Sequence, residues 1–151
     1  MLARYKRIKD GVKNNLYKDD MLKFKWHLQD ATESLFYWCE EESFNALCEY
    51  EGISFESLSK DDMYSIVEKI SYLISPLSKE EFLDNVESKF YKSDFALMFH
   101  LLYTLKCHKP TLGALPLSRH FNIISDKFTK PDLVKDQSIE AINYTFDLIQ
   151  S

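Results

Sequence analysis

The chain has 151 residues, of which 45% are hydrophobic and 15% aromatic, and its formal net charge at pH 7 is −5. This length suits one domain with one sizeable core, and its three glycines and four prolines are too few for a turn-rich β fold. There is no apolar stretch of about 18 residues and no apolar secretory signal at the N-terminus, so we expect a cytoplasmic protein without a membrane span.

Charge is unevenly distributed along the chain. Residues 1–27 hold eight Lys/Arg and three Asp/Glu, a local balance of +5, whereas residues 28–62 hold one Lys and ten Asp/Glu, a balance of −9. The acidic stretch also contains six aromatic residues: Phe36, Tyr37, Trp38, Phe44, Tyr50 and Phe55. Carboxylates mixed with aromatic side chains are typical of a surface that binds a basic protein.

The first strong helical period runs from Asp20 to about Glu41. One arc of this helix is apolar and comprises Met21, Phe24, Leu28, Ala31, Leu35, Trp38 and Cys39. The opposite side carries Asp30, Glu33, Tyr37, Glu40 and Glu41. An amphipathic helix with an acidic outer face is therefore predicted. It should end or bend near Glu42, which would otherwise fall in the apolar arc.

Shorter helices follow. One is predicted to be capped by Ser43 and stopped by Gly52, with an inward face of Phe44, Leu47 and Cys48. Two capping-box patterns then mark helix starts, the first from Ser59 to Asp62 and the second from Ser78 to Glu81.

The C-terminal half continues the helical pattern. Residues 95–108 are apolar on nearly every side, which predicts the most buried helix. Residues 109–116 form a connection, and a further helix starts near Pro116 with an apolar face of Leu117, Phe121, Ile124 and Phe128. Pro131 precedes a last helix with an apolar stripe of Ile139, Ile142, Phe146 and Ile149.

No segment shows the period of two residues that strands require. We therefore predict an all-α fold, a compact bundle of six to eight helices, in which residues 1–151 form a single helical domain.

Catalytic motifs are missing from the sequence. The three glycines are too far apart for a phosphate-binding loop, and neither H-E-x-x-H nor C-x-x-C occurs. Helical ribonucleases of the HEPN type carry an Arg and a His a few residues apart on one helix, whereas Arg119 and His120 are adjacent. We expect no enzyme and no cofactor.

Histidine and cysteine in the C-terminal half raise the question of a metal site, and the residues concerned are His100, Cys107, His108 and His120. They lack the close pairs that zinc ligands show, so no metal is expected. We predict instead that Cys107 is a buried core thiol. The three cysteines are odd in number and have no paired spacing, which indicates free thiols.

The basic N-terminal stretch is one candidate binding region. Its cations are Arg4, Lys6, Arg7, Lys9, Lys13, Lys18, Lys23 and Lys25. Tyr5 and Tyr17 lie among them and could stack on nucleic acid bases. The alternative is a solvated face that balances the acidic segment, because neighbouring carboxylates would repel phosphate.

The acidic face is the preferred candidate. Trp26, Asp30, Glu33 and Tyr37 follow one row of the predicted helix, away from its apolar arc. Glu40, Glu41 and Glu42 continue the charge, and the patch extends through Glu49, Tyr50, Glu51, Glu56, Asp61 and Asp62. Aromatic anchors ringed by carboxylates favour a protein interface, although a run of charge is also found on plain solvated surfaces.

A small helical chain with an acidic, aromatic surface and no catalytic motif resembles bacterial immunity proteins of the contact-dependent inhibition type. The resemblance covers the general profile of the whole chain and involves no motif, so it assigns no residue. It implies a non-enzymatic inhibitor whose acidic surface blocks the active site of a basic, nuclease-like toxin. The alternatives are a regulatory module that binds a partner helix and a nucleic-acid-binding helical domain.

Overall fold

The structure, a computed structural model, describes residues 3–35, 41–88, 91, 94–111 and 135–150. Within its helices, it leaves out the side chains at 42, 43, 50, 94, 95 and 135–137. The described residues form seven α-helices and no strand: α1 (Ala3–Lys13), α2 (Met21–Glu33), α3 (Glu41–Tyr50), α4 (Lys60–Leu73), α5 (Lys79–Glu87), α6 (Asp94–His108) and α7 (Lys135–Gln150). The prediction of an all-α fold with six to eight helices is confirmed.

The chain divides into two compact units, residues 1–73 and 74–151. In the first unit α1 packs against α2 and α4, and α2 packs against α3. In the second unit α5 and α6 both pack against α7. The single domain expected for the whole chain stays a prediction. None of the helices in the described ranges is long and apolar enough to cross a bilayer.

Helix α1 lies in the basic stretch, where the sequence analysis did not assign a helix. Tyr5, Ile8 and Val12 recur at helical spacing and are buried, while charged residues cover the rest of the helix. The Tyr5 hydroxyl lies 2.7 Å from the Thr32 hydroxyl, which itself donates to the Leu28 carbonyl. Tyr5 is therefore the donor, and this buried hydrogen bond joins α1 to α2.

Helix α2 is shorter than predicted. The carboxylate of Asp20 caps its N-terminus by accepting from the Lys23 N–H at 3.0 Å. The helix ends at Glu33 rather than near Glu41, with Ser34 as its C-cap, and the Ser34 hydroxyl donates to the Ala31 carbonyl at 2.7 Å. Hydrophobic periodicity does not by itself mark where a helix ends.

Helix α3 buries the three residues that were predicted to face inward, Phe44, Leu47 and Cys48. It begins at Glu41, so Ser43 lies within the helix and does not cap it. Gly52 follows the helix with φ +69°, and the next N–H, of Ile53, donates to the Cys48 carbonyl. The predicted glycine stop is thus confirmed, since a left-handed residue suits glycine at this position.

Both capping boxes are confirmed. The Asp62 N–H donates to the Ser59 hydroxyl and the Ser59 N–H donates to the Asp62 carboxylate, each at 3.1 Å. At the start of α5, the Ser78 hydroxyl accepts a hydrogen bond from the Glu81 N–H and donates one to the Glu81 carboxylate. These local bonds hold the first turns of α4 and α5.

The second unit is built around buried faces of α6 and α7. Every residue from Ala96 to Leu105 is buried, as the apolar sequence predicted. The expected burial of Cys107 is wrong, because this residue lies in the exposed last turn of α6. On α7 the buried face consists of Ser138, Ala141, Ile142 and Thr145. The helix predicted to start near Pro116 lies outside the described residues.

Candidate protein-binding surface

Helix α2 presents an exposed apolar pair on the side opposite its core. Phe24 and Leu28 are fully buried, and the helical repeat of 100° per residue turns Leu22 and Trp26 to the other side. Leu22 is 53% exposed and Trp26 is 54% exposed. Asp30 follows one turn later and is also exposed. We call Leu22, Trp26, Asp30 and Glu33 the α2 stripe.

Glu33, the last residue of the α2 stripe, forms a side-chain hydrogen bond within the helix. Glu33 is half-buried and accepts a hydrogen bond from the Gln29 amide at 2.9 Å. Tyr37, the fourth member of the predicted row, lies outside the described residues. Leu22 is not part of the predicted row, which is defined by aromatic and acidic residues, although its spacing of four from Trp26 is visible in the sequence.

Exposed carboxylates follow the stripe along the chain, as predicted for Glu41, Glu49, Glu56, Asp61 and Asp62. Asp62 has a second role as the capping carboxylate of α4. Glu40 and the side chains of Glu42 and Tyr50 lie outside the described residues. The exposed members place negative charge where solvent and a partner can reach it.

Glu51 is a correction to the predicted acidic patch. Its side chain is only 2% exposed, and its Oε2 lies 3.7 Å from Nζ of Lys69. The same Nζ donates to the Glu51 backbone carbonyl at 2.9 Å. Burial next to a lysine makes Glu51 a structural residue that fastens the end of α3 to α4.

The base-stacking role considered for the N-terminal tyrosines is wrong. Tyr5 and Tyr17 are both almost completely buried, so neither ring is available to a nucleic acid base. The Tyr17 hydroxyl lies 2.6 Å from Nδ1 of His27, and burial raises the pKa of Tyr17. Part of the basic charge is balanced within the unit, since Lys9 pairs with Glu68 at 2.7 Å.

A second feature of this unit is a cleft between α1 and α2 with a volume of about 200 Å³. Its lining residues are Arg4, Arg7, Ile8, His27, Asp30 and Ala31. We call it the α1–α2 cleft. Sequence analysis could not find it, because its cations come from one helix and its imidazole and carboxylate from another.

Two of the three thiols, those of Cys48 and Cys107, lie in the part of the chain that the structure describes. Burial raises the pKa of Cys48 to about 12, so this thiol stays protonated at neutral pH. Cys107 is exposed. Within the described ranges, no group of three or more His, Cys, Asp and Glu side chains is arranged to hold a metal ion.

Comparison with protein-family models, curated proteins and solved structures finds no significant match to the chain.

Proposed function

We propose that this protein is a non-enzymatic inhibitor of the immunity type, which binds a basic, nuclease-like toxin through a surface centred on the α2 stripe. The observation that carries the proposal is the exposure of Trp26 beside Leu22, with Asp30 on the next turn. An exposed tryptophan one helical turn from an exposed leucine offers an apolar contact surface that a partner could bury.

Tryptophan is among the residues that contribute most to protein interfaces, because it buries a large rigid area with few rotatable bonds. In the proposed complex Trp26 and Leu22 enter an apolar depression on the toxin. Asp30 and Glu33, at the edge of the same face, pair with toxin lysines or arginines. Such charges at the rim chiefly set specificity and the rate of association.

The exposed carboxylates beyond α2 would act at longer range. A nuclease carries positive charge in its cleft because it binds phosphate, and an acidic inhibitor is attracted to that cleft. Once bound, its carboxylates occupy the positions of substrate phosphates and exclude the nucleic acid. Inhibition then requires no chemistry from the inhibitor, which agrees with the missing catalytic motifs.

The proposal is tested with the toxin domain itself. We expect the coding sequence to lie directly after that of a large secreted protein with a variable C-terminal domain, and that domain is the partner to use. Trp26→Ala should weaken binding about 30-fold or more, as removal of a 2 kcal/mol hot spot does. Isothermal titration calorimetry and inhibition of nuclease activity measure the effect.

Tyr72→Ala is the matched control, because Tyr72 is an aromatic residue of α4 that is 43% exposed. It should change the dissociation constant by less than about threefold, as surface substitutions outside an interface do. The proposal fails if the toxin domain does not bind, or if Trp26→Ala and Tyr72→Ala have equal effects.

A further inference from the structure

The α1–α2 cleft brings together groups that bind anions. Arg4 and Arg7 lie one turn apart on α1, both are exposed and line the cleft, and neither forms an ion pair within the described residues. Guanidinium groups form paired hydrogen bonds with phosphate oxygens, and two of them on successive turns can contact one tetrahedral anion. Their positive charge is directed at a cleft and not only at bulk solvent.

His27 adds a third donor to this cleft. Its Nδ1 is occupied by the Tyr17 hydroxyl at 2.6 Å, which leaves Nε2 as the ring nitrogen that is available to a ligand. With the Tyr17 hydroxyl donating to Nδ1, the ring proton is on Nε2, from which it can form a hydrogen bond to a phosphate oxygen.

Asp30 restricts the ligands that this cleft can take. Its carboxylate lies at the same cleft and repels a simple anion, yet it accepts hydrogen bonds well. A ligand that carries both an anionic group and a hydroxyl group satisfies both sides. The volume of about 200 Å³ is below the roughly 300–1,000 Å³ of pockets for drug-sized ligands, which favours a small molecule.

We propose that the α1–α2 cleft is a binding site for a small phosphorylated sugar. Arg4, Arg7 and Nε2 of His27 hold the phosphate, and Asp30 accepts a hydrogen bond from a sugar hydroxyl. This site goes beyond the proposed toxin binding, because it concerns a small molecule; it shares Asp30 with the α2 stripe but does not use Trp26 or Leu22.

The test is a titration of the full chain with ribose 5-phosphate, inorganic phosphate and ribose, followed by calorimetry and by amide NMR shifts in α1 and α2. Ribose 5-phosphate should bind with one-to-one saturation, inorganic phosphate more weakly, and ribose not at all. Arg4→Ala with Arg7→Ala should weaken ribose 5-phosphate binding about 100-fold, about 10-fold for each charged contact.

The matched control is Lys6→Ala with Lys13→Ala, which removes the same charge from exposed positions of α1 that do not line the cleft. It should leave binding within about threefold of the wild type. If both double variants lost the same affinity for ribose 5-phosphate, the binding would be due to general electrostatic attraction and the proposal would be overturned. Failure of ribose 5-phosphate to saturate the wild type would also overturn it.

Asp30→Asn tests whether Asp30 both repels a simple anion and accepts a hydrogen bond from a sugar hydroxyl. It should strengthen inorganic phosphate binding, since a repulsive charge is removed, and reduce the preference for ribose 5-phosphate over inorganic phosphate. An unchanged preference would contradict the role of Asp30. Trp26→Ala should leave sugar phosphate binding intact, so that loss of toxin binding and loss of this site are separate results.

Discussion

At the residue level, side chains of the same chemical type have different environments in this protein. Glu49 is exposed, whereas Glu51 is buried against Lys69. Cys48 is buried in the first unit, whereas Cys107 is exposed at the end of α6. Residue type is the same within each pair, so burial decides which member a partner or reagent can reach.

The two thiols lead to a prediction at this scale. Burial raises the pKa of Cys48 from 9.0 to about 12, so at pH 8.5 iodoacetamide should modify Cys107 in the folded protein and leave Cys48 unmodified. In urea both should react, and peptide mass mapping distinguishes them. Equal native rates at the two positions would contradict the burial of Cys48.

The raised pKa also has a consequence for stability. The thiol ionises near pH 9 in the unfolded chain, whereas in the folded protein the pKa of Cys48 is about 12. The free energy of unfolding is therefore unaffected by this thiol below about pH 9 and falls as the pH rises from 9 toward 12.

Among the elements, the helix starts at Ser59 and Ser78 and the stop at Gly52 were predicted correctly, whereas the start at Ser43 and the end of α2 were not. The Ser59 and Ser78 boxes depend on bonds across three residues, which are visible in the sequence. The end of α2 at Glu33 is not marked by a motif in the sequence, and apolar spacing continues beyond it. A periodic signal by itself therefore overestimates the length of this helix.

Ser59→Ala tests the contribution of a cap. It removes the acceptor of the Asp62 N–H and should lower the free energy of unfolding by about 1 kcal/mol, measured by urea denaturation. Ser65→Ala is the control, because Ser65 lies exposed in the middle of the same helix, where alanine is favourable. The prediction fails if the two variants have the same stability.

At the scale of the whole molecule, each of the two compact units has its own buried aromatic residues. In the first unit the Phe24 ring lies 5.3 Å from that of Tyr17 and 6.1 Å from that of Phe55. In the second, the Phe82 ring lies 5.8 Å from His100 and 6.0 Å from Phe146. These contacts stay within one unit, so each aromatic cluster should stabilise chiefly its own helices.

Native-state hydrogen exchange tests this division. Phe24→Ala should speed exchange mainly in α1 to α4, and Phe82→Ala mainly in α5 to α7. A Phe→Ala change in a core costs about 3–5 kcal/mol, which is large enough to separate the two patterns. Equal acceleration in both units for either variant would contradict the division and support one cooperative domain.

Part of the candidate site could be predicted from the sequence. Trp26, Asp30 and Glu33 were placed on the outer face of a helix, and the described α2 has them there because helical geometry is local. Glu51 was assigned wrongly, since its burial depends on Lys69, 18 residues away. The α1–α2 cleft was missed for the same reason, because residues from two helices form it.

Sequence patterns alone predict the helical class of the protein, the starts of α4 and α5, and the inward face of α3. These features depend on patterns within one or two turns of helix, where propensity, capping and periodicity act directly. The burial of Tyr5 and Tyr17, and the cleft that Arg4 and Arg7 share with Asp30, are visible only once the helices are packed. Both features depend on contacts between distant segments, because the packing of helices determines which side chains are buried and which charges lie close together.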